Sequence, residues 1–211
     1  MKTSVAALLA LTLFAALAPD ARADFSGDYA LTPPPGGLST ANNTSAGAWL
    51  FTLHQGGAAN GSLDTTNAPA SFNIQAVAIG TFNSITSTLA YANVPEAGTI
   101  TFDYDFTNVQ LGTGGSANFT YTQNSTPIVF SGNATGSGSW TVSQGDDIGF
   151  SVFAQGGTAV GLGFPEQTQS VVTISNFAFA PTPVPEPSEF ALGAGVLALG
   201  VALARRRLRT A

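Results

Sequence analysis

Apolar and polar residues alternate along most of this chain. Ile100, Phe102, Tyr104 and Phe106 share one parity, and Thr101, Asp103, Asp105 and Thr107 share the other. That period of two predicts a strand over 99–107 with one face in a core and the other in water. Further strands are predicted over 25–31, 48–54, 71–79, 85–91, 117–122, 128–131, 159–163 and 170–179. Ser139, Trp140, Thr141 and Val142 run into Ser143-Gln144-Gly145-Asp146-Asp147, after which Ile148, Phe150 and Val152 alternate again, a pattern that predicts a hairpin. In the last strand Val172 and Ile174 lie on one parity and Phe177 and Phe179 on the other, which requires a bulge near Asn176 or burial on both faces. No helical period is sustained between the two ends of the chain. About ten short strands separated by Gly, Asn and Ser turns predict an all-β fold, an antiparallel two-sheet sandwich of jelly-roll-like type. A parallel β-helix is the alternative, and the chain lacks the fixed-period repeat it requires.

The two ends read differently. Lys2 opens a short basic segment, residues 5–18 are apolar, and Ala21-Arg22-Ala23 places small residues at Ala21 and Ala23, where a signal peptidase inspects the chain. Residues 1–23 are therefore predicted to be a signal peptide, cleaved before Asp24. At the other end Pro181, Pro183, Pro185 and Pro187 alternate, denying the backbone both helix and ladder donors and predicting an extended linker over 181–188. An uncharged stretch follows over 189–204 once Glu189 is passed. The tail 205–211 then carries Arg205, Arg206, Arg207 and Arg209, which resist translocation and hold that end on the cytoplasmic side of a membrane. The order Val184-Pro185-Glu186-Pro187-Ser188, short hydrophobic helix and arginine cluster resembles the PEP-CTERM sorting signal of bacterial exported proteins. The resemblance covers about the last 28 residues. It implies an exosortase, a membrane cysteine protease or transpeptidase, that recognises Val184 to Ser188 and processes the chain near them. It also implies a transient membrane anchor at 189–204 before delivery to the cell surface or extracellular matrix.

Residues 24–180 remain as one exported domain, long enough for a real core. Its charge is one-sided. Asp24, Asp28, Asp64, Glu96, Asp103, Asp105, Asp146, Asp147 and Glu166 are acidic, and no Lys or Arg lies between Arg22 and Arg205. Nucleic acid is excluded as a partner, because binding a polyphosphate depends on Lys and Arg displacing counterions. Anionic membrane surfaces are disfavoured for the same reason. Calcium and neutral polysaccharide are compatible. There are no cysteines, so no disulfide supports the fold.

Candidate chemistry is sparse. Asp103 and Asp105 stand at i and i+2 on the polar face of one strand, about 7 Å apart at their roots. Two carboxylates at that spacing can grip Ca²⁺ with help from carbonyls and Asn side chains, or serve an inverting glycosidase as acid and base; a solvated strand face is the simpler reading. Asp146 and Asp147 occupy a turn, where Asp is favoured for its side-chain hydrogen bonds, with calcium again the second reading. His54 is the only histidine, so zinc sites of ordinary composition cannot be built, and a partly buried structural role is expected for it. Trp49 and Trp140 lie in apolar alternation and are expected in the core rather than on a sugar platform.

Two functional classes are compatible with these features. One is a non-catalytic envelope or matrix protein with signal peptidase and exosortase as processing partners, binding exopolysaccharide or calcium, with no catalytic residue and no obligatory cofactor. The other is a secreted glycosidase or lyase using Asp103, Asp105 and a third acid.

Overall fold

The computed structural model describes residues 22–23, 25, 27–31, 38–124, 126–158, 166–182 and 195–196. The chain divides into two units, Met1–Pro181 and Thr182–Ala211. In the second, residues 195–196 are helical. No helix among the described residues is long and apolar enough to cross a membrane. Ala21, Asp24, the motif Val184 to Ser188, the arginines 205–207 and 209, most of the stretch 189–204 and the predicted strand 159–163 lie outside the described residues.

The first unit is an antiparallel two-sheet sandwich. Sheet A runs β11 (Ala134–Val142), β8 (Gly98–Leu111), β13 (Gln167–Pro181), β6 (Ser71–Ile79), β5 (Ala59–Asp64), β2 (Leu38–Ser39). The short β1 (Arg22–Ala23) pairs with Phe179 and Ala178 of β13. Sheet B runs β10 (Thr126–Ser131), β9 (Ser116–Gln123), β12 (Ile148–Gln155), β7 (Ser84–Tyr91), β4 (Trp49–Gly56), β3 (Thr44–Ala46). Local hairpins join β3 to β4, β5 to β6 and β9 to β10; most other connections pass from one sheet to the other. The parallel β-helix is thereby ruled out for this unit, since every named strand pair is antiparallel.

With no cysteine in the chain and no Lys or Arg between Arg22 and Arg205, the core supplies the stability. Each fully buried large apolar side chain contributes about 1.5–3 kcal/mol. The inward faces present Trp49, Phe51, Phe72, Phe102, Phe106, Phe119, Phe150, Phe177 and Phe179, all essentially inaccessible to water. Phe25 stacks on Phe177 with ring centroids 4.4 Å apart, and Phe150 meets the edge of Phe102 at 5.0 Å. Trp49 and Trp140 are both buried, as their alternation predicts. The indole N–H of Trp49 donates to the Tyr29 carbonyl at 3.0 Å, so its burial leaves no donor unpaired. Toward the opposite end the inward positions shrink to Ala76, Ala78, Ala117 and Ala154.

The parity change in the last strand is resolved by a bulge. Ser175 faces Asp103 and Ala178 faces Thr101, so β13 spends one more residue than β8 across this interval. Asn176 takes a left-handed φ of 51°, which Asn tolerates better than most residues, and Phe177 and Phe179 thereby return to the face that already buries Val172 and Ile174.

Two local expectations are corrected. Residues 25–31 form no strand: Gly27–Tyr29 is a 3₁₀ turn, and Phe25, Tyr29 and Leu31 enter the core from it. Residues 139–152 form no hairpin either. β11 belongs to sheet A and pairs with β8, while β12 belongs to sheet B and pairs with β7 and β9, so the turn at Ser143 to Asp147 carries the chain between the sheets.

Candidate functional site

The outer face of sheet B is built from the residues that alternate with the core. Strand register arranges them in rows across the sheet. One row reads Leu50, Ala90, Gly149, Thr122, Pro127; the next reads Thr52, Thr88, Ser151, Thr120, Val129; a third reads His54, Thr86, Phe153, Asn118, Ser131. Ala90 and Gly149 place minimal side chains side by side, so the first row is lower than its neighbours. The result is a shallow depression of about 210 Å³ lined by Thr88, Ala90, Thr122, Asp147, Gly149 and Ser151, together with Ile148 and Phe150. A Cβ on Gly149 would come within 3.2 Å of the Leu89 carbonyl, a contact that the neighbouring backbone would have to relieve by a few tenths of an ångström.

Hydrogen bonds from three connections fix one rim. Asp147 accepts from the Asn93 backbone N–H at 3.0 Å, its own N–H donates to the Asn124 side-chain oxygen at 3.2 Å, and the Asn124 N–H donates to the Asp147 carbonyl at 2.9 Å. Asn93 and Asn124 both adopt positive φ, 59° and 47°, which lets each turn tightly into this network. Asp146 accepts from the Ser143 N–H at 2.9 Å, and that bond, with help from Asn124 and Gln123, holds its carboxyl below the ordinary range. Both acids of this turn therefore organise backbone, as their position in a turn implies.

Asp103 and Asp105 lie on the outer face of sheet A, on the opposite surface of the sandwich from the depression. Asp103 accepts from the Asn176 side-chain amide at 2.7 Å and from the Ser137 hydroxyl at 2.5 Å. These two bonds, the Asn176 bond first, lower its pKa and keep it ionised at neutral pH. It is a clamp on the β13 bulge. Asp105 sits between Thr135 and Thr173 in the ladder. Among the described residues no three His, Cys, Asp or Glu side chains converge in a way that could hold a metal ion. His54, expected to be partly buried, is exposed, because it falls on the outward parity of β4 while Leu53 takes the inward one.

The depression was not visible in the sequence, because it arises from the register that sets Ala90 beside Gly149, and those residues are 59 apart. It offers the hydroxyl groups of Thr88, Thr122 and Ser151, the small residues Ala90 and Gly149, and the Asp147 carboxylate at the rim. That combination suits an uncharged polyol and repels polyanions.

No protein-family model matches the chain, and no curated protein matches it. Among solved structures, the chain is similar to TmCBM61 in complex with β-1,4-galactotriose, at 7% identity and a TM-score of 0.33 over 63% of this chain and 88% of that one. It is also similar to the family 11 xylanase from Neocallimastix patriciarum, at 10% identity and a TM-score of 0.37 over 69% and 96%. A third is the family 11 carbohydrate-binding module from Clostridium thermocellum in complex with a β-1,3-1,4-mixed-linked tetrasaccharide, at 9% identity and a TM-score of 0.33 over 69% and 96%. The sandwich assignment itself rests on the strand ladders described above.

Proposed function

We propose that this chain is a non-catalytic, exported envelope or extracellular-matrix protein that binds neutral exopolysaccharide on the outer face of sheet B. The observation that carries the reading is the depression over Ala90 and Gly149, walled by Thr88, Thr122 and Ser151 in a domain without Lys or Arg. Sugar rings present both hydroxyls and apolar C–H faces, so a small-residue floor with hydroxyl walls meets both. The absence of cationic side chains selects against anionic polymers. Export is proposed on the signal-peptide pattern of residues 1–23, and exosortase processing on Val184 to Ser188 followed by the apolar stretch and arginines.

The test is retention by neutral polysaccharides in affinity electrophoresis, followed by calorimetry on the best ligand. Ala90→Leu fills the depression from a half-buried outward position and should weaken binding by roughly tenfold or more, about 1.4 kcal/mol. Asp103→Asn, on the other sheet, should bind as the parent does. Equal binding by Ala90→Leu and the parent, or no retention by any neutral polymer, overturns the reading. Intact mass of the exported protein tests the sorting part: it should begin at Asp24 and lack Arg205 to Arg209.

A further inference from the structure

Among the described residues, Glu166 is the one carboxylate that is buried with neither oxygen hydrogen-bonded. It stands just before β13 and is 4% exposed, and neither of its oxygens has a hydrogen-bond partner among the described residues. It shares a parity with Thr168 and Ser170, so the three side chains line the inward face of the strand where it passes the small-residue end of the core; both neighbours are buried, and the Ser170 hydroxyl is likewise unpartnered. An ionised carboxylate in such a place requires a counter-charge, and no Lys or Arg lies between Arg22, which pairs with Phe179 at the far end of β13, and Arg205.

The surroundings are shaped for the carboxylate. A Cβ on Gly112, whose φ is 127°, would lie 2.6 Å from both the Glu166 carboxyl carbon and its Oε1, so the glycine makes the room the carboxylate occupies. Glycine-bearing segments meet here with their backbones nearly touching. A Cβ on Gly157 would fall 2.2 Å from the Thr113 carbonyl, one on Gly156 2.1 Å from the Gly80 carbonyl, and one on Gly115 2.4 Å from the Thr168 hydroxyl. The Gly80 N–H donates to the Glu166 carbonyl at 2.7 Å, and Thr113 and Thr158 exchange backbone bonds, which pins these segments together. The groups named at this end, the Glu166 carboxylate, the Thr168 hydroxyl and the Thr113 and Gly80 carbonyls, are all oxygen donors.

We propose that Glu166 anchors a structural Ca²⁺ site at this end of the sandwich, the carboxylate binding through its oxygens and the glycine-segment carbonyls and the Thr168 hydroxyl supplying neutral ligands. Oxygen-only donors, one net charge and an irregular backbone cradle suit Ca²⁺, which accepts six to eight oxygens in flexible geometry, better than Mg²⁺, which demands a near-ideal octahedron. The site is distinct from Asp103, Asp105, Asp146 and Asp147, and it is independent of the polysaccharide reading.

The experiment titrates Ca²⁺ into the EDTA-treated full chain by calorimetry and follows thermal melting, for the parent, Glu166→Gln, and the double variant Asp103→Asn, Asp105→Asn. The parent should bind one Ca²⁺ per chain and melt several degrees higher in millimolar Ca²⁺, because the ion binds only the folded state. Glu166→Gln should lose at least tenfold in affinity and, in EDTA, melt at or above the parent, since an amide needs no counter-charge; the double variant should respond as the parent does. Lack of Ca²⁺ uptake by the parent overturns the proposal, as does equal affinity in Glu166→Gln. Should that variant fail to fold, Glu166→Asp keeps the charge and shortens its reach: a tenfold weaker site supports the assignment, and unchanged affinity overturns it.

Discussion

The Asn176 side-chain amide donates to Asp103 Oδ2 at 2.7 Å, tying the extra residue of β13 to the strand beside it. The contact closes a chain of cause. The bulge sets the parity of Phe177 and Phe179, a left-handed Asn makes the bulge, and a carboxylate with no cationic partner holds the Asn.

Asn176→Ala should therefore destabilise the domain. It removes the amide and places a Cβ-bearing residue with no polar side chain at φ 51°, a conformation that costs about 1–2 kcal/mol for ordinary residues. Asn176→Gly, which relieves the backbone but loses the bond, should fall between Ala and the parent. Urea midpoints at constant m-value give the ranking.

The pH dependence follows from the sign of the shifts. Asp103 and Asp146 have lowered pKa values in the folded state, so their contribution is full above the unfolded carboxylate range and is lost as pH falls through their folded pKa values. Melting temperature in low salt should not fall between pH 7 and pH 5, where easing repulsion among the domain's nine acids works in favour of folding, and should fall below roughly pH 4. Asp103→Asn should reduce the acid-side loss. A decline already evident between pH 7 and pH 5 would contradict the assignment.

Gly138 lies on the inward face of β11, under the ring of Phe102. A Cβ there would stand 2.2 Å from the ring's Cζ. Gly138→Ala should cost about 1–3 kcal/mol by overpacking, although it raises strand propensity. The paired variant Gly138→Ala, Phe102→Leu should recover part of the loss, which chemical denaturation can measure.

The Tyr29 hydroxyl is buried without a hydrogen-bond partner among the described residues, and burial pushes its pKa well above the ordinary phenol range. Tyr29→Phe keeps the ring contacts with Tyr91, Phe177 and Phe179 and removes the unsatisfied group. The variant should be as stable as the parent or more so, by up to about 1 kcal/mol. A clear loss in a melting experiment would show that the hydroxyl has a partner in solution.

Where the chain alternates with large side chains, the fold was legible. The predicted strand 71–79 coincides with β6, and the parity switch before Phe177 located the bulge. β5 was missed because its inward residues are Ala59, Gly61 and Leu63, too small in two places out of three to register as an apolar stripe. Residues 25–31 misled in the opposite way: their aromatics are core residues, yet they enter the core from a turn. Turn chemistry identified the Ser143 to Asp147 corner correctly but said nothing about which sheet the next strand would join, since that is decided by distant partners. The depression over Ala90 and Gly149 and the burial of Glu166 are likewise products of long-range register. A lone glycine, alanine or glutamate carries no local pattern to announce either.

β13 is the last strand of the sandwich, and it lies between β8 and β6 in the middle of sheet A. A chain made from its N-terminus has β6 and β8 long before it has the strand that joins them, so sheet A stays in separate pieces until residues 167–181 arrive. The pairings that complete sheet A thus span large sequence separations, which slows folding relative to a fold built on local contacts. Sheet A is complete only once this final strand is paired along both of its edges, with β8 on one side and β6 on the other.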